Sequence, residues 1–156
     1  MVETNFRPLR IAYLLSQYPA VNHVFMLREV CLLRSLGFDI RVASIRNPDR
    51  DPGLMTAAEQ SEAQAAHYVK NSGLFPLMLA HAHTLTSRPL HYIRGLAGAL
   101  RSEALYGLFY FIEAVAVGDW MRRQGLSHVH THFASTVAVL VRRTFPVTRP
   151  CLQGRS

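Results

Sequence analysis

The apolar positions of this chain fall into alternating blocks of two periods, and the order of those blocks predicts a fold. Arg10 to Ser16 is a short run with Ile11, Ala12, Tyr13, Leu14 and Leu15 in succession, bounded by Pro8 and by a polar stretch from Gln17 to Asn22. Such a run reads as a strand buried on both faces. From Val24 to Leu36 the period changes: Met26, Leu27, Val30, Cys31 and Leu33 recur at helical spacing, with Arg28, Arg34 and Ser35 on the polar side. Asn22 is placed to cap this helix and Gly37 to end it. Asp39 to Ile45 alternates, with β-branched Ile40, Val42 and Ile45, and predicts a second strand, at an edge or half-buried. The three together spell a βαβ unit.

Beyond Asn47-Pro48-Asp49 the pattern is less regular. Thr56-Ala57-Ala58-Glu59 has the form of a capping box and predicts a short helix to about Ala66. His67-Tyr68-Val69 reads as a minimal third strand. Leu74–Thr86 and Leu90–Leu100 read as helices parted by Pro89. Ser102 and Glu103 then open the longest helix, ending at Gln124 before Gly125, with Leu105, Leu108, Phe109, Ile112, Val115 and Ala116 on one face. Ser127–Phe133 alternates once more, and a last helix runs from Ser135 to Thr144. This order predicts an α/β fold: a Rossmann-like, doubly wound, mostly parallel sheet with helices on both faces.

Composition agrees with a folded domain. The chain has 156 residues, 49% of them hydrophobic, enough for one core. Its formal charge is +7, and sixteen of the seventeen basic residues are arginine. These are scattered from Arg7 to Arg155 rather than gathered beside aromatic or glycine-rich motifs, so no nucleic-acid partner is expected. Cys31 and Cys151 stand far apart without CxxC spacing, which fits a reducing, cytoplasmic compartment. The N-terminus has no basic and apolar signal segment. The longest stretches free of Asp, Glu, Lys and Arg, Asn71–Ser87 and Gln124–Val141, fall short of the roughly 20 apolar residues that span a membrane.

In a sheet of this kind ligands collect outside the carboxyl ends of the strands, so the two loops to search are those after the first and the last strand. The first, Ser16 to Phe25, lacks GxGxxG but leads to a helix N-terminus, whose free N–H groups favour a phosphate or carboxylate. Asn22 as a mere cap and Pro19 as a mere turn residue account for it equally well. The second carries His128, His130 and His132, which a strand places on one face. Either they ligate a metal, for which HExxH or an Asp-rich partner is missing, or His132 at the strand end enters the crevice as an acid–base group while the others pack. His81 and His83 do not share a helix face.

The residues from Arg10 to Arg46, with Tyr18-Pro19, Asn22-His23-Val24-Phe25, Arg28-Glu29 and Leu36-Gly37, resemble the opening of glycosyltransferase family 4 enzymes of bacterial polysaccharide synthesis. His128-Val129-His130-Thr131-His132-Phe133-Ala134-Ser135 resembles that family's second signature, a strand ending in His-x-His-Phe-Ala. The resemblance runs to about Val147. It implies that residues 1–148 are the N-terminal, acceptor-side half of a GT-B glycosyltransferase and that the donor-binding C-terminal half is absent, with 149–156 a truncated or non-native tail. It implies His132 as catalytic and Asn22, His23, His130 and Ser135 as substrate-binding, with no metal ligand and no cofactor. The implied partners are a nucleotide sugar and a glycan or lipid-linked acceptor. Val24 stands where the family often has threonine, and so lacks a hydroxyl. Asn22 stands where it often has serine. Arg28-Glu29 matches the family's Arg-Glu pair, whose plain alternative is an exposed surface pair of little energy.

A second class of function is a non-catalytic module that binds a glycan or docks at the inner face of a membrane through the Leu105–Trp120 helix and the arginine excess. For that helix, core packing is the plainer reading. A third is a hydrolase with a metal held by His128, His130 and His132.

Overall fold

The computed structural model describes residues 10–132 and 136–145, without the side chains of 102–105. Four strands form one sheet: β1 (Arg10–Gln17), β2 (Asp39–Arg46), β3 (His67–Tyr68) and β4 (His128–His130). Their spatial order is β3-β2-β1-β4, and every pairing is parallel. This is the Rossmann-like α/β arrangement predicted above, with β1 and β2 each paired on both sides, so β2 is an inner strand and not an edge.

The pleat of β1 and β2 divides the core into two layers. Tyr13 and Leu15 of β1 and Ile40 and Val42 of β2 face α1 (Val24–Ser35), where Met26 and Val30 bury against them. Ala12, Leu14 and Ala43 point to the other side, onto α4 (Pro89–Arg123) and α5 (Thr136–Thr144). Because both faces are covered, β1 reads as an unbroken apolar run rather than an alternating one. Thr56 begins α2 (Ala57–Ala65) with the expected capping box: its hydroxyl accepts from the Glu59 backbone N–H, and Glu59 accepts from the Thr56 N–H at 2.8 Å. The buried Glu62 of α2 is held by the Tyr18 hydroxyl at 2.9 Å and by Arg34.

Two expectations are corrected. α1 starts at Val24, but its N-cap position is His23 and no side chain caps it. Asn22 lies within the short 3-10 turn Val21–His23, exposed, so its backbone is already turning when a cap would need an extended residue. The second concerns the helices after Pro89. They form one 35-residue helical run, α4, and not two separate helices. The run is nevertheless bent back on itself. Phe111 and Tyr92 place their rings 5.0 Å apart, and the Gly107 position lies against the Ala99 carbonyl. At 1.5 Å per residue, a straight helix would hold Tyr92 and Phe111 roughly 28 Å apart. α3 (Leu74–Ser87) packs beside the first arm of α4, and α5 lies along the helix as well. The second arm is buried almost all round, from Ala114 to Met121, while Leu108 and Phe109 of the predicted apolar face are exposed. A single-stripe reading fails there because that arm is enclosed by the sheet, the first arm and α5.

The interior also stores a pH response. The half-buried His67 stacks on Trp120 with ring centroids 5.3 Å apart, and His81 meets the Tyr92 hydroxyl at 2.9 Å beside Phe111. Burial pushes both imidazoles below their usual range, and for His67 the Arg123 charge adds to this. The unfolded chain therefore binds protons more readily than the folded one near the ordinary histidine value of about 6.5. Stability is fully present above that value and falls as the pH drops through it toward the lowered folded values. Thermal melts at about pH 7.5 and 5.5 should show the lower midpoint at the acidic pH; an equal or higher midpoint there would contradict these burials.

Candidate functional site

Tyr13 of β1 pairs in register with His130 of β4. Side chains opposite one another on adjacent parallel strands share a face, and the two rings lie 4.6 Å apart on the α1 side of the sheet. One turn into the helix, Glu29 reaches back over them. Its Oε1 accepts from the Tyr13 hydroxyl at 2.9 Å, and its Oε2 lies 2.6 Å from His132 Nε2. His132 sits just past the end of β4, with its ring 5.0 Å from His130 and 5.6 Å, edge on, from Phe25.

The proton positions in this cluster follow from its chemistry. An ionised carboxylate only accepts hydrogen bonds, so both Tyr13 Oη and His132 Nε2 are the donors. Burial, and then the bond to Glu29, push the Tyr13 phenol far above its usual range, so it stays protonated. Burial, with His132 beside it and Glu29 opposing, holds the His130 imidazole below its usual range. With Nε2–H committed to Glu29, His132 keeps Nδ1 as the nitrogen able to accept a proton. This is the orienting relation of a carboxylate to a histidine base.

His132 also borders a cavity of about 390 Å³ at the carboxyl ends of the strands. Ser16 and Arg46 reach it from the ends of β1 and β2, Lys70 from the turn after β3, Glu113 from α4, and Thr136 from the start of α5. Burial raises the Glu113 carboxyl above its usual range, with the Lys70 and Arg46 charges pulling it back. Two cations, a helix N-terminus, a carboxyl raised by burial and an oriented histidine thus border one opening.

Of the residues predicted from sequence, His132 and His130 are in the cluster. Asn22 and His23 are on the neighbouring loop and do not line the cavity; His23 contacts Phe25 edge on at 6.1 Å. Val21, beside them, donates its N–H to Asp49 at 2.8 Å. Ser135, with Phe133 and Ala134, lies outside the described residues. His128 shares the strand face but meets Ser127 at 2.9 Å instead of joining the others. Among the described residues the group that could hold a cation is therefore Glu29, His130 and His132, whose ligand atoms lie within 4.8 Å of one another, and not the three strand histidines. Sequence reasoning missed Tyr13, Glu29, Arg46, Lys70 and Glu113. The Arg28-Glu29 pair was a signal for one of them; the rest carried none, because nothing local distinguishes them from ordinary strand, turn and helix residues. Comparison with known proteins finds no match to this chain among family models, curated sequences or solved structures.

Proposed function

We propose that this domain serves sugar transfer from a nucleotide-sugar donor to a glycan or lipid-linked acceptor, as the acceptor-side half of a GT-B glycosyltransferase. The observation that carries the reading is the Glu29-oriented His132 at the rim of a cavity bordered by Arg46 and Lys70. Sugar transfer builds positive charge at the anomeric carbon and negative charge on the departing diphosphate. His132 Nδ1 takes the proton of a sugar hydroxyl as the new C–O bond forms and the bond to the diphosphate breaks. Arg46, Lys70 and the first turn of α5 offer positive charge to the phosphate oxygens.

The test is a titration of the isotopically labelled chain with uridine and guanosine diphosphate sugars, pyrophosphate and a lipid-linked sugar analogue, followed by NMR. Shifts gathered at Arg46, Lys70 and His132, and lost in Arg46→Ala and Lys70→Ala, are the expected result. Saturating concentrations of all these probes without a shift at those residues would overturn the reading. A second reading, a metal-dependent hydrolase, rests on the Glu29, His130 and His132 cluster. Zinc would have to displace the Glu29–His132 hydrogen bond to use these donors, and metal analysis of the purified chain separates the two.

A further inference from the structure

An apolar surface is exposed on α3 and the first arm of α4, and none of its residues lines the cavity that His132 borders. α3 exposes Leu74, Phe75, Met78 and Leu79, each more than half accessible, and the first arm of α4 exposes Leu90 and Ile93 to a similar degree. The same two helices bury Ala80, Thr84 and Ala99 and join through His81 and Tyr92, so the exposed residues are the outward faces of a packed layer and not loose ends. Met78 and Leu108 continue the surface into an apolar groove of about 480 Å³ between the helices. Monomeric proteins seldom expose so many large apolar side chains together without a use for them.

The charge in this segment has one sign. From Ala63 to Ser102 the sequence contains no Asp or Glu, while Lys70, Arg88, Arg94 and Arg101 all fall within it. The three arginines are exposed on or beside the helices that carry the apolar residues. A second copy of the chain would bring these like charges together across a two-fold interface. A surface that is apolar within and negative at its edge would satisfy both features, and an anionic bilayer has that structure. Among the described residues no helix is long and apolar enough to cross a membrane, so contact must be lateral. The second arm of α4, which the sequence offered for such contact, is enclosed in the core over Ala114–Met121.

We propose that α3 and the first arm of α4 form a peripheral docking surface for anionic phospholipid bilayers, with Leu74, Phe75, Met78 and Ile93 entering the headgroup boundary and Arg88, Arg94 and Arg101 engaging lipid phosphates. The test is co-sedimentation of the full chain with vesicles of phosphatidylcholine alone or with about a third phosphatidylglycerol. The expected result is binding to the mixed vesicles that weakens in high salt and is on the order of tenfold weaker to phosphatidylcholine. Phe75→Asp and Ile93→Asp should each lower partition roughly tenfold or more, since an exposed side chain loses its burial in lipid. Arg88→Gln with Arg94→Gln should lower binding to mixed vesicles and leave the melt unchanged, which separates lost docking from lost folding. Equal binding to both vesicle types, no binding to either, or a concentration-dependent dimer abolished by Phe75→Asp would overturn the proposal. Sedimentation requires no sugar transfer, so its outcome stands apart from that of the catalytic reading.

Discussion

Gly107→Ala is expected to destabilise the protein by about 2–3 kcal/mol, although helix propensity alone favours alanine there by about 1 kcal/mol. Gly107 lies inside α4, where glycine ordinarily costs stability. The fold-back of the helix reverses that expectation. A Cβ at this position would stand 2.0 Å from the Ala99 carbonyl oxygen and 2.7 Å from its carbon. Both obstacles are backbone, so relief requires the two arms to part, which loosens Tyr92 from Phe111 and uncovers a ring now only 1% exposed. Gly98 is the internal comparison. There a Cβ would meet the Nη1 end of Arg143, an exposed side chain that can swing aside. Gly98→Ala should therefore change stability by less than about 1 kcal/mol. Urea unfolding of the two variants and the wild type measures the difference. A Gly107→Ala midpoint equal to or above that of Gly98→Ala would mean that the arms do not touch at this point.

If the domain serves sugar transfer as proposed above, His132→Ala lowers that transfer by about two to four orders of magnitude, roughly the contribution of a positioned acid–base group. The assay follows nucleoside diphosphate release from the sugar donor and acceptor of the proposed reaction. The side chain is partly accessible and its ion pair is with Glu29, so the fold should survive its loss. Glu29→Gln keeps the volume and a hydrogen-bonding partner but removes the charge that orients the imidazole. Its effect should be smaller than that of His132→Ala, because the imidazole itself remains. Unchanged turnover in His132→Ala with an unchanged melt would remove His132 from the chemistry.

The elements carried by short-range signals were legible before the structure. The apolar run of β1, the β-branched alternation of β2, the Thr56–Glu59 capping box and the minimal strand at His67 each depend on neighbours in the chain, and each is present. His130 and His132 were legible for the same reason: strand alternation and a strand end are local properties. The Asn22 cap was misread because several turn conformations satisfy the same residues, and the 3-10 turn is one of them. The two predicted helices around residue 101 survive as the two arms of α4 rather than as separate elements. Helical periodicity reports which residues share a face but not whether the axis changes direction. The small residues Gly95, Ala99 and Gly107 were the trace of that contact, but small residues also serve turns, caps and ordinary close packing, so their presence alone did not point to a fold-back.

The sequence by itself determined the parallel α/β layering, because burying a strand on two faces or a helix on one requires apolar residues at fixed local periods. It also determined the absence of carboxylates between Ala63 and Ser102. The tertiary structure alone decided that Glu29 of α1, Tyr13 of β1 and His132 beyond β4 meet, and that Arg46, Lys70 and Glu113 border the same opening. It decided too which arm of α4 is enclosed and which faces outward. The physical reason is common to these cases. Periodicity is imposed by the backbone geometry of one element, whereas a hydrogen bond, a charge pair or a buried ring depends on how separate elements pack, which no single segment encodes.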